Sequence, residues 1–233
     1  MRAILVIANK NYSSWSMRPW VLMRQCGVPF TEERLSFRLG LGAGFGEAVR
    51  RLSPAGRVPV LKLALPEAAG GELVVHDSLA IVETVHDFWP DAGVWPADRA
   101  DRARARALAA EMHAGFATLR ARCPMNIEAD LRPLGPPLLA EHAALRSDLA
   151  RVDQIFAAAR GPFLFGAFCA ADAFYAPVAL RVRGYGLPLS APAQAHADRL
   201  LAAPACAEWI AAALQEHEWV PEDEPYRARP AGA

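Results

Sequence analysis

Residues Tyr12-Ser13-Ser14-Trp15-Ser16 stand between an apolar run, residues 3–8, and an amphipathic run, residues 17–25. A hydroxyl-rich turn there opens a helix, whose N-terminus offers unpaired backbone N–H groups and partial positive charge. Serines in that position cap the helix or hold an anion. The spacing Ser13-x-x-Ser16 is that of a redox Cys-x-x-Cys pair, with oxygen in place of both sulfurs. Such a turn cannot exchange disulfides. It can stabilise a thiolate that arrives on a small molecule. A free thiol with a pKa of about 8.5 is only a few per cent ionised at pH 7. Lowering that pKa by about two units takes about 2.7 kcal/mol, within reach of one hydrogen bond and a helix end. A plain N-cap with surface serines has the same composition, and Tyr12, in the same loop, is a rival donor.

Three further constellations carry chemistry. In Arg57-Val58-Pro59-Val60-Leu61, a proline opens an apolar strand. A cis peptide there would leave the Val58 N–H and C=O free to pair with an extended peptide, although frequencies favour an ordinary trans proline. At His76-Asp77-Ser78, Ser78 and the first helical N–H groups form a carboxylate cradle. Asp77 beside it accepts from an ammonium group, so the pair suits an amino-acid head group; a simple cap looks the same. Asp172, three residues after Cys169, reads as one arm of a capping box with a role in folding. Arg106, His113 and Arg120 share a heptad position and line one helix face, where a surface or capped histidine is the commoner outcome.

Other features point away from chemistry. The glycines at 40, 42, 44 and 46 complete neither G-x-G-x-x-G nor a following Gly-Lys-Ser/Thr, which argues against a nucleotide site. The six histidines lack metal-ligand spacing. Arg99, Arg102, Arg104 and Arg106 read as a solvated helix face.

The elements that must position these residues change character along the chain. Residues 3–8 read as a strand buried on both faces, 15–25 as a helix stopped by Gly27-Val28-Pro29, 31–37 as a strand and 47–52 as a short helix. Strands follow at 58–63 and 73–76, then a helix over 78–89, giving βαβ, a connector and ββα. Beyond a Pro- and Gly-containing linker the chain turns helical. Helices are expected over 98–122, 136–160, 171–183, 192–202 and 206–217, and a loosely held polar tail from Pro221. The domain expectation is therefore 1–89 α/β, 90–97 linker and 98–233 all-helical.

Composition bounds the rest. The 233 residues suit one large domain or two small ones, and a 53% hydrophobic fraction supplies a core. The 25 basic and 25 acidic residues balance, so no net charge draws the chain to nucleic acid or an anionic membrane. Cys26, Cys123, Cys169 and Cys206 are too far apart in sequence for a metal or redox pair, and read as buried free thiols of a reducing compartment. No apolar run approaches the roughly 20 residues of a membrane span. The opening residues lack a signal-peptide cleavage pattern, so a cytoplasmic location is expected.

The order of these signals resembles that of the cytosolic glutathione transferases, over nearly the whole chain. Ser13-Ser14-Trp15-Ser16-Met17-Arg18 is similar to the serine motif of the zeta class and its bacterial relatives, which include maleylacetoacetate isomerases. The resemblance implies a thioredoxin-like N-terminal domain that binds glutathione as co-substrate, a helical domain that completes an electrophile pocket, no metal and a homodimer. By motif position Ser13 matches the thiol-activating serine, with Ser14 as the neighbour that contacts glutathione or takes over. Arg57 and Val58 would meet the glutathione backbone, Val58 pairing with the cysteinyl unit; Asp77 and Ser78 would hold the γ-glutamyl end. Phe116, Met125, Asn126 and Tyr175 are the expected electrophile wall. The sequence departs from the zeta pattern at Trp15, where that class has cysteine, at Pro19, at Asp77, where Glu or Gln is common, and at Cys169, where the family has Ser or Thr. The implied activity is glutathione transfer to a small electrophile. The alternatives are glutathione-dependent cis–trans isomerisation of a small diacid, with Arg18 or a helical-domain arginine holding its carboxylates, and a non-catalytic glutathione-binding or regulatory protein. A thiol oxidoreductase is disfavoured because no cysteine occupies the turn.

Overall fold

The computed structural model describes residues 2–37 and 43–229, so Gly40 and Gly42 of the glycine loop lie outside the described residues. Strand β1 (Ala3–Ile7) sits inside a four-stranded sheet. Its Leu5 and Ile7 join Met17, Val21 and Ile81 on one face, while Val6 packs with Phe45, Val49 and Val60 on the other. Successive side chains of a strand point to opposite faces, and both faces here are covered, which is why the run is uniformly apolar.

Helix α1 (Ser14–Gln25) crosses from β1 to its parallel partner β2 (Thr31–Arg34). After α2 (Ala43–Arg50), β3 (Val60–Ala64) pairs antiparallel with β1, and β4 (Glu72–Val75) antiparallel with β3. Helix α3 (Ser78–Phe88) returns beside α1. The order β2-β1-β3-β4 and the βαβ-ββα succession make the thioredoxin-like arrangement expected from the sequence. Strand β2 ends three residues earlier than expected because the Phe37 N–H donates to Asn9 Oδ1 (2.7 Å) and the Ser36 hydroxyl bonds the Glu218 carboxylate. The Val58–Pro59 bond is cis, against the frequency-based expectation, and so is His76–Asp77.

The remainder is helical: α4 (Arg99–Ala114), α5 (Ala117–Arg122), α6 (Gly135–Glu141), α7 (Ala143–Ala157), α8 (Ala170–Tyr185), α9 (Ala191–Ala202) and α10 (Pro204–Ala213). Two helices expected as single pieces are broken. The 98–122 helix stops at Gly115, and Phe116 takes a left-handed conformation (φ 55°) that buries its ring 6.0 Å from Tyr175. The 136–160 helix breaks at His142, and the freed carbonyls of Leu139 and Ala140 accept from the Arg146 guanidinium. Helix α10 ends at Ala213 rather than 217, because Glu216 and Glu218 leave the helical path to bind the first turn of the chain.

Helix α8 is the central strut, buried along most of its length and packed on α1, α4 and α9. Asp172 fixes its start, accepting from the backbone N–H groups of Cys169 (3.0 Å) and Leu164 (2.9 Å), which forms the expected capping contact. One hydrophobic cluster runs from Ala3 to Trp209, so the sheet and the helical part share a core. Cys123, Cys169 and Cys206 are buried free thiols and Cys26 is half-buried. Among the described residues no helix is long and apolar enough to cross a membrane, and no cluster of His, Cys, Asp and Glu is arranged to hold a metal ion.

Candidate active site

The turn between β1 and α1 is held by groups from the far end of the sequence. The Glu216 carboxylate accepts from the Lys10 N–H (2.8 Å) and the Asn11 N–H (3.2 Å). Asn9 Nδ2 donates to Glu218 (2.8 Å), and Trp209 Nε1 donates to the Lys10 carbonyl (3.0 Å). Asn11 Oδ1 in turn accepts from the N–H groups of Ile127 and Glu128. The tail after Pro221, expected to be loose, is part of this frame. The Tyr12 hydroxyl lies 2.7 Å from Glu224 Oε1 and 3.0 Å from the Glu218 carbonyl, Arg227 pairs with Glu224, and the Tyr226 hydroxyl donates to the Arg122 carbonyl. Burial and the bond to Glu224 push the Tyr12 phenol well above its usual range. Its proton is therefore committed to the tail.

Ser13 caps α1, accepting from the Ser16 N–H at 3.3 Å, and its hydroxyl donates to Ser16 Oγ at 2.8 Å. Ser16 Oγ also accepts from the Ala8 N–H (3.2 Å), tying the turn to β1. Ser14 faces the helical part, where its Oγ accepts from Arg181 Nη2 at 3.1 Å. Both serines open onto a cavity of about 650 Å³. Across it stand Arg57, Val58, Pro59 and Asp77, and the helical side contributes His113, Arg120, Met125 and Arg181. Asp77 caps α3 through the Leu79 N–H (2.9 Å), while its other oxygen faces His113 Nε2 at 3.4 Å. Trp15 makes an edge contact with the His113 ring (5.2 Å).

The electrostatics of this cavity are dominated by arginine. Arg181 is buried and bonds the Cys123 carbonyl (2.8 Å) and the Pro177 carbonyl (3.3 Å). Arg18 is fully buried, stacked 4.1 Å from the Trp15 ring and 5.0 Å from that of Phe174. Among the described residues no acceptor lies within hydrogen-bond distance of its guanidinium nitrogens. Burial, and then the charges of Arg181 and Arg120, lower its pKa to about 9. The Arg120 guanidinium lies 5.4 Å from the centroid of the Trp15 ring and donates to the His113 carbonyl (3.2 Å). At the rim, Asp223 is raised to about 6 by burial and by its acidic neighbours Glu222 and Glu224.

Residues 12–87 match the family model described as Glutathione S-transferase, N-terminal domain. The structure is similar to that of a glutathione transferase homologue from Burkholderia (BGR1) with bound glutathione: TM-score 0.64, 22% identity, covering 91% of this chain and 98% of the other. A sphingomonad glutathione S-transferase complexed with glutathione gives 0.64 at 21% identity, covering 90% and 98%. Omega 3C glutathione transferase from Trametes versicolor gives 0.66 at 19% identity, covering 90% and 89%. No curated protein matches the sequence. The fold is that of the glutathione transferases.

Within that glutathione-transferase fold, Ser13, Ser14, Arg57, Val58 and Asp77 line one cavity. Ser78 is the exception: it is fully buried at the first position of α3 and does not line the cavity. Of the expected electrophile wall only Met125 lines it. Phe116 and Tyr175 pack against each other in the core, and Asn126 turns its side chain to the Ala129 N–H. Of the heptad trio, His113 and Arg120 reach the cavity, whereas Arg106 forms a two-pronged pair with Glu83. Sequence reasoning missed Arg50, Trp15, Asp223 and Arg181. Arg181 had a signal: it is a lone charge within the apolar stretch Val178-Ala179-Leu180-Arg181-Val182.

Proposed function

We propose that the chain is a glutathione transferase, with glutathione lying across the serine turn and the β3–α3 edge and its thiolate attacking a small electrophile held against His113, Arg120 and Met125. The observation that carries this reading is the shared cavity. Two serine hydroxyls at a helix N-terminus open onto the space that Val58 and Asp77 line from the other side. In this reading the Val58 backbone pairs with the cysteinyl unit, and Arg57 attracts the glycyl carboxylate. Asp77 accepts from the γ-glutamyl ammonium, while Ser78 acts from behind Asp77 as part of the α3 N-terminus. The hydroxyls of the Ser13-Ser14 turn and the positive end of α1 stabilise the thiolate. No metal is needed for this chemistry. A homodimer in a reducing cytoplasm completes the reading.

Calorimetric titration with glutathione, combined with ultraviolet detection of the thiolate, tests it. Binding with a thiol pKa lowered by about one to two units supports transfer chemistry. Binding without ionisation points to a carrier or regulator, and no binding at millimolar glutathione overturns the proposal.

Tyr12→Phe separates the serine mechanism from a tyrosine one. The pKa of bound glutathione should stay at the wild-type value, because the Tyr12 proton serves Glu224. Stability should fall by about 1–2 kcal/mol in urea denaturation, because a buried carboxylate loses a donor. A second reading, isomerisation of a small diacid, draws on Arg120 and Arg181 in the cavity wall. Direct assay with maleylacetoacetate distinguishes the two activities.

A further inference from the structure

The two serines of the turn are not equivalent. Ser13 spends its proton inside the turn, donating to Ser16 Oγ, and receives the Ser16 N–H in return. Ser14 has a different environment. A guanidinium donor from α8 occupies one side of its oxygen, across 167 positions of sequence. A hydroxyl carries one proton and accepts at its lone pairs, so a cation on the acceptor side turns the O–H away from itself. That leaves the Ser14 proton available to the cavity, and a charged donor bonded to the oxygen makes the O–H a stronger donor.

Resting on the transferase reading, we infer that Ser14, oriented and polarised by Arg181, donates the hydrogen bond that holds the glutathione thiolate, while Ser13 maintains the turn. The thiol proton leaves to solvent, and Ser14 keeps its own proton and shares it with the sulfur anion. Arg181 is a positioning residue that acts through Ser14. Its other two bonds, to the Cys123 and Pro177 carbonyls, fix the guanidinium so that it cannot follow a moving partner. Burial lowers its pKa only to about 10, so it stays cationic at neutral pH.

The surroundings make sense on the same account. Arg18 and Arg120 add like charge near Arg181, and among the described residues no carboxylate forms an ion pair with any of the three. Clustered cations are unfavourable; the Asp77 charge offsets part of this at Arg18 without forming an ion pair with it, and a thiolate at Ser14 offsets more.

The test is the thiol pKa of glutathione bound to wild type, Ser13→Ala, Ser14→Ala, Arg181→Gln and the double variant Ser14→Ala with Arg181→Gln, read from the pH dependence of thiolate absorbance. The expected result is a rise of about one unit, a roughly tenfold smaller thiolate fraction near neutral pH, for Ser14→Ala and for Arg181→Gln. Little further change should follow in the double variant, and a smaller change in Ser13→Ala. Arg181→Lys should recover part of the loss. If Arg181→Gln does not fold, the two serine variants still decide which hydroxyl acts. A wild-type pKa in Ser14→Ala with a raised one in Ser13→Ala overturns the assignment, and fully additive effects of Ser14 and Arg181 overturn the coupling. Wild-type protein that binds glutathione without ionising it removes the parent reading too, and that result is visible before any variant is made.

Discussion

His196→Leu should remove a contribution that lowers the stability of the folded protein on mild acidification. His196 is fully buried on α9, 4.9 Å from the Phe156 ring, and among the described residues neither ring nitrogen has a hydrogen-bond partner. Burial, and secondarily the Arg199 charge, lower its pKa from 6.5 to about 4. The unfolded chain therefore takes up a proton that the folded protein refuses. The contribution of this group is fully present above pH 6.5 and is lost as pH falls toward 4. The loss amounts to about 2 kcal/mol by pH 5 and about 3 kcal/mol by pH 4. Asp172 and Asp223, both raised to about 6 by burial, act in the opposite sense over an overlapping range. The decisive quantity is therefore the difference between wild type and variant in urea denaturation at pH 7 and pH 5. A difference independent of pH would show that His196 titrates normally in the folded protein.

Asp172→Ala should lower stability by about 3 kcal/mol at pH 7, with a parallel fall in the melting temperature. The carboxylate is fully buried and is the acceptor for two backbone N–H groups, those of Leu164 and Cys169. Alanine leaves both donors unsatisfied at the start of the helix around which the helical part is packed, each costing about 1–3 kcal/mol. Removing a buried charge offsets part of that cost, and more of it at pH 7 than at pH 5. The variant's deficit should therefore grow as the solution is acidified through pH 6, where the wild-type carboxyl gains a proton in the folded state. Asp172→Asn, which keeps an acceptor oxygen, should retain about half of the lost stability. Full wild-type stability in Asp172→Ala would remove the helix-start role.

The fold was legible because its signals are local. The uniformly apolar β1 run, the glycine and proline stops after α1, and the Asp-Ser junction before α3 each state an element in a few residues. The breaks at Phe116 and His142 were not legible, because tertiary contacts impose them: a ring buried against Tyr175 in one case and an arginine satisfying freed carbonyls in the other. The same division holds for the site. Ser13, Ser14, Val58 and Asp77 sit at element ends, where composition announces them. The electrophile wall depended on helix register, and three of its four expected residues turned into the core or toward the backbone. Tyr12 could not be separated from the serines in sequence. Its distinguishing partner, Glu224, lies 212 positions away.

That distance orders events in time. The serine turn leaves the ribosome long before the three glutamates that brace it, which lie between 205 and 212 positions downstream of their partners. At about 5–20 residues per second, the turn waits on the order of 10 s or longer for Glu216, Glu218 and Glu224. A nascent chain can complete its sheet in that interval, but not the bracing of its serine turn. The earliest part of the protein to be made is the last to become competent.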